Sequence, residues 1–210
     1  MAVITISRQF GAGGKTLGQM IAKKLNYNFI NDDIIQMVAE KAKVSTDWVE
    51  SIEKEAGGKL QKFMSTIVAR NFVERILGGD KGFIDEEVYV KVLNDVITQI
   101  AQEDNVVIIG RGGQYILRDH PDAFHVLLIA QEPDRIKFME THYNLSNQEA
   151  AKIVKEYGRR RAILYRKFKK EDYDNPELYH VVLNMSKLDM EKASDFVYRM
   201  VADLVCTLAE

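Results

Sequence analysis

The stretch Val3-Ile4-Thr5-Ile6-Ser7-Arg8-Gln9-Phe10-Gly11-Ala12-Gly13-Gly14-Lys15-Thr16-Leu17 decides how the chain is read. Val3 to Ser7 is short, β-branched and apolar, which predicts a buried strand. Gly11, Gly13 and Gly14 follow at once, and a backbone free to take positive φ can curl and aim several N–H groups at one point. Beyond them Leu17, Met20, Ile21 and Leu25 recur at helical spacing, so the loop leads into an amphipathic helix. The N-terminus of that helix presents unpaired N–H groups and a positive dipole to the same point.

Strand, glycine loop and helix together are the setting of the phosphate-loop pattern G-x-x-x-x-G-K-[ST]. Laid over Gln9 to Thr16, the pattern matches at its last three positions and has Gln9 where its first glycine belongs. Gly11, Ala12, Gly13, Gly14, Lys15, Thr16 and Leu17 are therefore the expected cradle for ATP. Lys15 is expected to reach the β- and γ-phosphates, and the Thr16 hydroxyl to ligate Mg²⁺. The alternative is a glycine-rich turn that merely precedes Lys-Thr; the flanking strand and helix favour the phosphate loop.

Downstream, Tyr27 to Ile30 reads as a second short strand. Residues 32–77 have a helical pattern broken at Gly57-Gly58, and Ser45 reads as a helix start. A helix over 85–102 carries Tyr89, Leu93, Val96, Ile97 and Ile100 on one face. Val106 to Ile109 is a continuous apolar run and Phe124 to Ile129 is another, broken only by His125, the mark of strands buried on both faces. Helices are expected over 133–143 and 147–170, a fifth strand over 180–183, and a last helix carrying Ala193, Phe196, Val197, Met200 and Val201 with Asp189 as N-cap. Alternating strands and helices predict a parallel α/β sheet, and in such sheets ligands bind beyond the carboxyl ends of the strands. Both glycine turns, after Ser7 and after Ile109, fall on that edge.

The 210 residues suit one domain over 1–210, and 46% apolar residues can build a core. A formal net charge of -2 argues against a nucleic-acid-binding field. The apolar runs are too short to span a membrane, and no basic or apolar leader opens the sequence, so a cytoplasmic protein with neither nucleic-acid nor membrane partners is expected. Cys206 is the sole cysteine and reads as a packed thiol. His120, His125, His142 and His180 lack metal-ligand spacing. Trp48, Phe63 and Phe72 read as core residues rather than a base-stacking platform.

One local charge run stands out against the acidic total. From Arg159 to Lys170, seven of twelve residues are Arg or Lys. Phosphoryl transfer needs mainly positioning and charge neutralisation, and guanidinium matches phosphate geometry. Arg159, Arg160, Arg161 and Arg166 are accordingly candidate catalytic cations, against the plainer reading of a solvated basic face. Arg111, at the Gly110-Arg111-Gly112-Gly113 turn, would project from the functional edge. Arg8 is a candidate for substrate contact or for a clamp on the loop backbone. Asp32 is a candidate acceptor contact, with Asp33 equally suited to cap the next helix.

Ile6-Ser7-Arg8-Gln9-Phe10-Gly11-Ala12-Gly13-Gly14 resembles the S-R-[EQ]-[FY]-G-[SA]-G-G opening of the bacterial cytidylate kinase-like family. The likeness continues at Phe29 to Ile35, at Ile109 to Leu117, at His120-Pro121-Asp122-Ala123 with Leu127 to Ala130, at Arg159-Arg160-Arg161-Ala162, and at Tyr165, Tyr179 and Leu183-Asn184. It implies a P-loop, nucleoside-monophosphate-kinase-like three-layer fold with a five-stranded parallel sheet. It also implies a helical acceptor-binding insertion over about 31–79 and a lid over about 132–175. Arg111 becomes an acceptor-phosphate ligand. Better-known cytidylate kinases carry Gly-Arg-Asp where this chain has Gly110-Arg111-Gly112, which puts CMP specificity in question more than the phosphoryl chemistry.

The expected activity is ATP- and Mg²⁺-dependent phosphoryl transfer to a nucleoside monophosphate, CMP or dCMP first, by a monomer or homodimer acting on small nucleotides. Two other readings stand beside it: a nucleotide-binding regulatory module with little turnover, and a kinase of a non-nucleotide metabolite.

Overall fold

The computed structural model describes residues 2–31, 33–34, 37, 84–103, 105–168, 170 and 172–207. The expected insertion helices, Asp32, Trp48, Phe63 and Phe72 lie outside the described residues. In chain order the described elements are β1 (Val3–Arg8), α1 (Gly14–Leu25), β2 (Asn28–Ile30), α2 (Ile84–Gln102), β3 (Val106–Ile109), α3 (Gly113–Ile116), β4 (Ala123–Ile129), α4 (Glu132–Tyr143), α5 (Asn147–Lys167), a 3₁₀ turn (Pro176–Leu178), β5 (Val181–Asn184) and α6 (Met190–Thr207).

These strands form a five-stranded sheet in the order β2-β3-β1-β4-β5, and every adjacent pair runs parallel. The parallel pairing follows from the helical crossovers between strands. It also explains the unbroken apolar runs, because both faces of the sheet are covered. Ile4, Ile6, Val107, Ile109, Val126 and Leu128 face Leu17 and Ile21 of α1 and Ala193, Val197 and Val201 of α6. Val3, Val106 and Ile108 face Tyr89, Leu93, Val96 and Ile97 of α2. Each such fully buried aliphatic side chain contributes about 1.5–3 kcal/mol.

β1 is central, with β3 and β4 on either side, so the loop that leaves its carboxyl end is held from below by both neighbours. The helix ends follow the sequence. Ser146 and Glu149 form a reciprocal cap at the start of α5, and Asp189 Oδ1 accepts the Lys192 N–H at 2.8 Å, the expected N-cap of α6. One expectation differs: Phe196 and Met200 of α6 are 49% and 39% exposed while Ala193, Val197 and Val201 carry the buried face. The buried stripe of α6 is thus narrower than its apolar pattern. Among the described residues no helix is long and apolar enough to cross a membrane.

Candidate active site

The first glycine loop is tied to the end of β4 by two bonds of Gln9 and closes on itself by a third. The Gln9 N–H donates to Leu128 O at 2.9 Å, and the Ala12 N–H donates back to Gln9 O at 3.0 Å. The Gln9 side chain accepts the Ala130 N–H through Oε1 at 3.1 Å. Gln9 is therefore a fastening to the end of β4, which explains a long polar side chain in a glycine loop. Arg135, in the first turn of α4, donates to Phe10 O and Ala130 O, each at 3.2 Å. Gly11 has φ of +87°, and a Cβ there would stand 2.8 Å from Arg135 O. Arg135 was not among the sequence candidates: a charged residue early in a charged helix carries no signal until the fold sets it against Phe10.

Gly13, with φ of +81°, is the N-cap of α1, and the helix begins at Gly14. Gly14, Lys15 and Thr16 therefore stand in the first turn of the helix that follows the loop. Lys15 is exposed, Thr16 half-buried and Leu17 buried. Among the described residues Lys15 has no ion pair. The first-turn N–H groups of α1 have no helical partners, and that turn contains no acidic residue. The Arg8 stem lies across Gly14, where a Cβ would stand 2.8 Å from Arg8 Cγ, and the guanidinium reaches Gly110.

The second glycine turn leaves β3 beside the first. Gly110, Arg111 and Gly112 take φ of +71°, +51° and +76° in succession. A positive φ is unusual for an arginine and is held here by its surroundings. Arg111 Nη1 donates to Asn31 O, just past β2, at 2.5 Å. Arg111 thus joins the ends of β3 and β2 at the carboxyl edge. A Cβ on Gly112 would stand 2.9 Å from the Phe168 ring, so the residue that ends α5 is seated on this turn. Asp33 is exposed, and its carboxylate accepts the Asn31 N–H at 3.4 Å.

The arginine run divides by helix face. Arg159 and Arg166 are exposed and, among the described residues, have no ion pair. Arg160 pairs with Glu156 and lies 4.5 Å from the Tyr157 ring centroid. Tyr157 stacks on Phe10 of the first loop at 4.4 Å, and Phe10 packs with Met139, Ala150 and Val154 of α4 and α5. Arg161 is different: it donates to Ser7 Oγ at 3.1 Å and pairs with Asp174 at 2.7 Å. Tyr165 and Tyr173 stack 4.6 Å apart, with Arg161 over both rings. Burial opposes the charge of Arg161, but Tyr165 and Asp174 hold it more firmly protonated than usual. Its bonds join the end of β1 to α5 and to the segment before β5. Nearby, Tyr115 donates to Asp172 at 2.8 Å. Burial, then that carboxylate, pushes the Tyr115 phenol up, so it stays a donor.

A model of the cytidylate kinase-like family matches residues 3–187. The chain belongs to the cytidylate kinase-like family. It is accordingly a phosphotransferase built on a P-loop kinase fold. An uncharacterized protein from Eubacterium ventriosum superposes with a TM-score of 0.67 at 17% identity, over 96% of this chain and 98% of that one. A gluconokinase from Sinorhizobium meliloti superposes at 0.50 with 12% identity, over 99% and 95%. Both are likenesses of fold. No curated protein matches the sequence.

For a cytidylate kinase-like site, the oxygen donor that fits a Mg²⁺ is a hydroxyl at the start of the helix after the phosphate loop. Mg²⁺ takes most of its oxygens from phosphates and water in such sites, and the Thr16 hydroxyl stands in the first turn of α1.

Proposed function

We propose that the chain transfers the γ-phosphoryl group of ATP to the phosphate of a nucleoside monophosphate, CMP or dCMP first. The observation that carries the reading is the pair of glycine turns on adjacent strands β1 and β3, each bearing an arginine, at the carboxyl edge of the sheet. A donor's phosphates suit the loop from Gly11 to Leu17, in which the Ala12 and Leu17 N–H groups are committed to Gln9 O and Gly13 O and those at the start of α1 face the ligand, with Lys15 and Arg8 as the cations of that loop. Thr16 is the protein's oxygen for Mg²⁺, which neutralises charge on the phosphates when bound. Arg111 suits the acceptor phosphate, with Asp32 in the residues that follow β2.

An acceptor oxygen attacks the γ-phosphorus, the bond to the β–γ bridging oxygen breaks, and ADP leaves with the electron pair. Charge on the transferring group calls for further cations. Arg159, Arg160 and Arg166 lie on α5, on the outer hairpin of α4 and α5, and are the ones to supply it. Arg161 is committed to Ser7 and Asp174 and acts through the positions of β1 and α5.

A second reading has its own observation: Phe168 occupies the space over Gly112, where an acidic side chain would stand in better-known cytidylate kinases. An aromatic wall in place of a carboxylate suits an acceptor other than cytidine, including a non-nucleotide metabolite. ADP release with ATP and Mg²⁺ tests both, against CMP, dCMP, UMP, AMP and GMP and a panel of hydroxylated metabolites. Stimulation by a monophosphate supports the first reading, and stimulation by a metabolite alone supports the second. ATP-dependent thermal stabilisation with no acceptor-dependent ADP would instead point to a regulatory module.

A further inference from the structure

We infer that Arg135 is a positioning residue for the transferring phosphoryl group: by holding the Phe10 carbonyl it turns the Gly11 N–H into the crevice between the two glycine turns. The inference rests on the loop's being the ATP site proposed above.

The turn itself comes first. The Ala12 N–H donates to Gln9 O at 3.0 Å and closes a four-residue turn over Gln9-Phe10-Gly11-Ala12. Phe10 keeps a negative φ and Gly11 has φ of +87°, so the turn is of type II. Types I and II differ in the central peptide, here Phe10–Gly11, which is rotated by about 180° between them. A side chain at the third position would favour type I, whereas glycine admits both. The peptide is trans, so its C=O and N–H point to opposite sides, and whatever fixes the one fixes the other.

Arg135 fixes the carbonyl. Its Nη1 donates to Phe10 O and its Nε to Ala130 O, each at 3.2 Å. The first bond sets where the carbonyl points, and the second seats the guanidinium on the end of β4. Phe10 is held by its ring as well, which stacks on Tyr157 of α5 at 4.4 Å. A Cβ on Gly11 would stand 2.8 Å from Arg135 O, so the backbone of α4 lies against this side of the turn.

With Phe10 O on the α4 side, the Gly11 N–H points the other way. β1 lies between β4, which leads into α4, and β3, which leads into Gly110-Arg111-Gly112. Away from α4 is therefore toward the second glycine turn, where the donor and acceptor phosphates meet in the proposed reaction. Among the described residues the Gly11 N–H has no acceptor. Flipped, the same peptide would present a carbonyl oxygen to that crevice, and an oxygen repels the phosphate that an N–H attracts. Arg135 thus acts through the peptide, not through contact with the nucleotide.

The test is calorimetric titration of Mg²⁺-ATP and Mg²⁺-ADP into wild type, Arg135→Met and Arg135→Lys, with melting curves for each. ADP lacks the γ-phosphate, so the ratio of the two affinities isolates the group that the Gly11 N–H serves. Arg135→Met should bind ATP more weakly by about tenfold or more, the range of one hydrogen bond to a charged group, and ADP within about threefold of wild type. Arg135→Lys keeps the charge but not the planar fork that spans Phe10 O and Ala130 O. It should lose ATP affinity by about fivefold or more, with ADP again within about threefold. Equal losses for ATP and ADP in a folded variant overturn the inference, since Arg135 would then hold the loop as a whole or touch the part the two nucleotides share. An Arg135→Lys that binds ATP as wild type does overturns it by assigning the effect to charge, and so does an Arg135→Met with unchanged ATP affinity. Where Arg135→Met does not fold, Arg135→Lys decides by the same ratio. Wild type that binds neither nucleotide fails the proposed function first, and the inference with it.

Discussion

The stem of Arg8 lies across Gly14 so closely that a single added Cβ would stand 2.8 Å from Arg8 Cγ. The two positions are therefore coupled, and the coupling is measurable apart from any ligand. Gly14→Ala should destabilise the protein by about 1–3 kcal/mol through overpacking. In an Arg8→Ala background the same substitution should cost close to nothing, because alanine is the better helix former. A double-mutant cycle on urea midpoints reads the interaction directly; additive effects would contradict it.

Gln9 is expected to matter for stability more than for chemistry. Gln9→Ala removes the acceptor of the Ala130 N–H and should cost about 1 kcal/mol. The KM for ATP should rise while kcat stays within about threefold, since the loop loosens but loses no charge. A large fall in kcat at unchanged stability would assign Gln9 a different part.

The arginine run should separate into two classes. Asp174→Ala leaves Arg161 poorly compensated and should cost about 2 kcal/mol, below the value for a fully buried pair because Asp174 is 39% exposed. Arg159→Ala and Arg166→Ala should leave the melting temperature almost unchanged, as surface substitutions usually do within about 0.5 kcal/mol. At least one of the two should lower kcat by about tenfold or more. Melting curves beside turnover separate the classes; a destabilising Arg166→Ala would contradict the assignment.

Most of the fold is legible in the sequence because parallel strands and amphipathic helices leave strong periodic marks. Val106 to Ile109 is read to the residue, and Asp189 is found as a cap. The strand, the glycine turn and the helix around the phosphate loop are legible because each leaves its own mark, whereas the tie of Gln9 to the end of β4 is not, because its partner is the Ala130 N–H far along the chain. The arginines fail for a related reason. Three consecutive residues fan around a helix, and which one is buried depends on Ser7 and Asp174, far away along the chain. Arg135 and Phe168 were invisible because their partners, the Phe10 carbonyl and the bare Gly112, exert no pattern on the sequence.

Stability should also depend on pH through β4. His125 is buried beside Thr5, whose hydroxyl lies 2.7 Å from His125 Nδ1. Burial, then the nearby His180, pushes the His125 imidazolium down to about 4. The unfolded chain, with a histidine pKa of about 6.5, takes up the proton first as pH falls. Stability is thus full above about pH 6.5 and is lost toward pH 4, by at most about 1.4 kcal/mol per pH unit from this group. Urea midpoints between about pH 7 and pH 4.5 should fall more steeply for wild type than for His125→Gln. Equal slopes would contradict the buried neutral state.

The most direct measurement of the central claim follows phosphorus itself. Wild-type protein, ATP, Mg²⁺ and CMP are mixed and the ³¹P spectrum is recorded over time, with Lys15→Ala alongside. The expected result is loss of the ATP γ-signal matched by growth of a terminal β-phosphate on CDP, slowed by about tenfold or more in Lys15→Ala. A γ-signal that persists with CMP and with each other monophosphate, or that turns only into inorganic phosphate, would contradict phosphoryl transfer to a nucleotide.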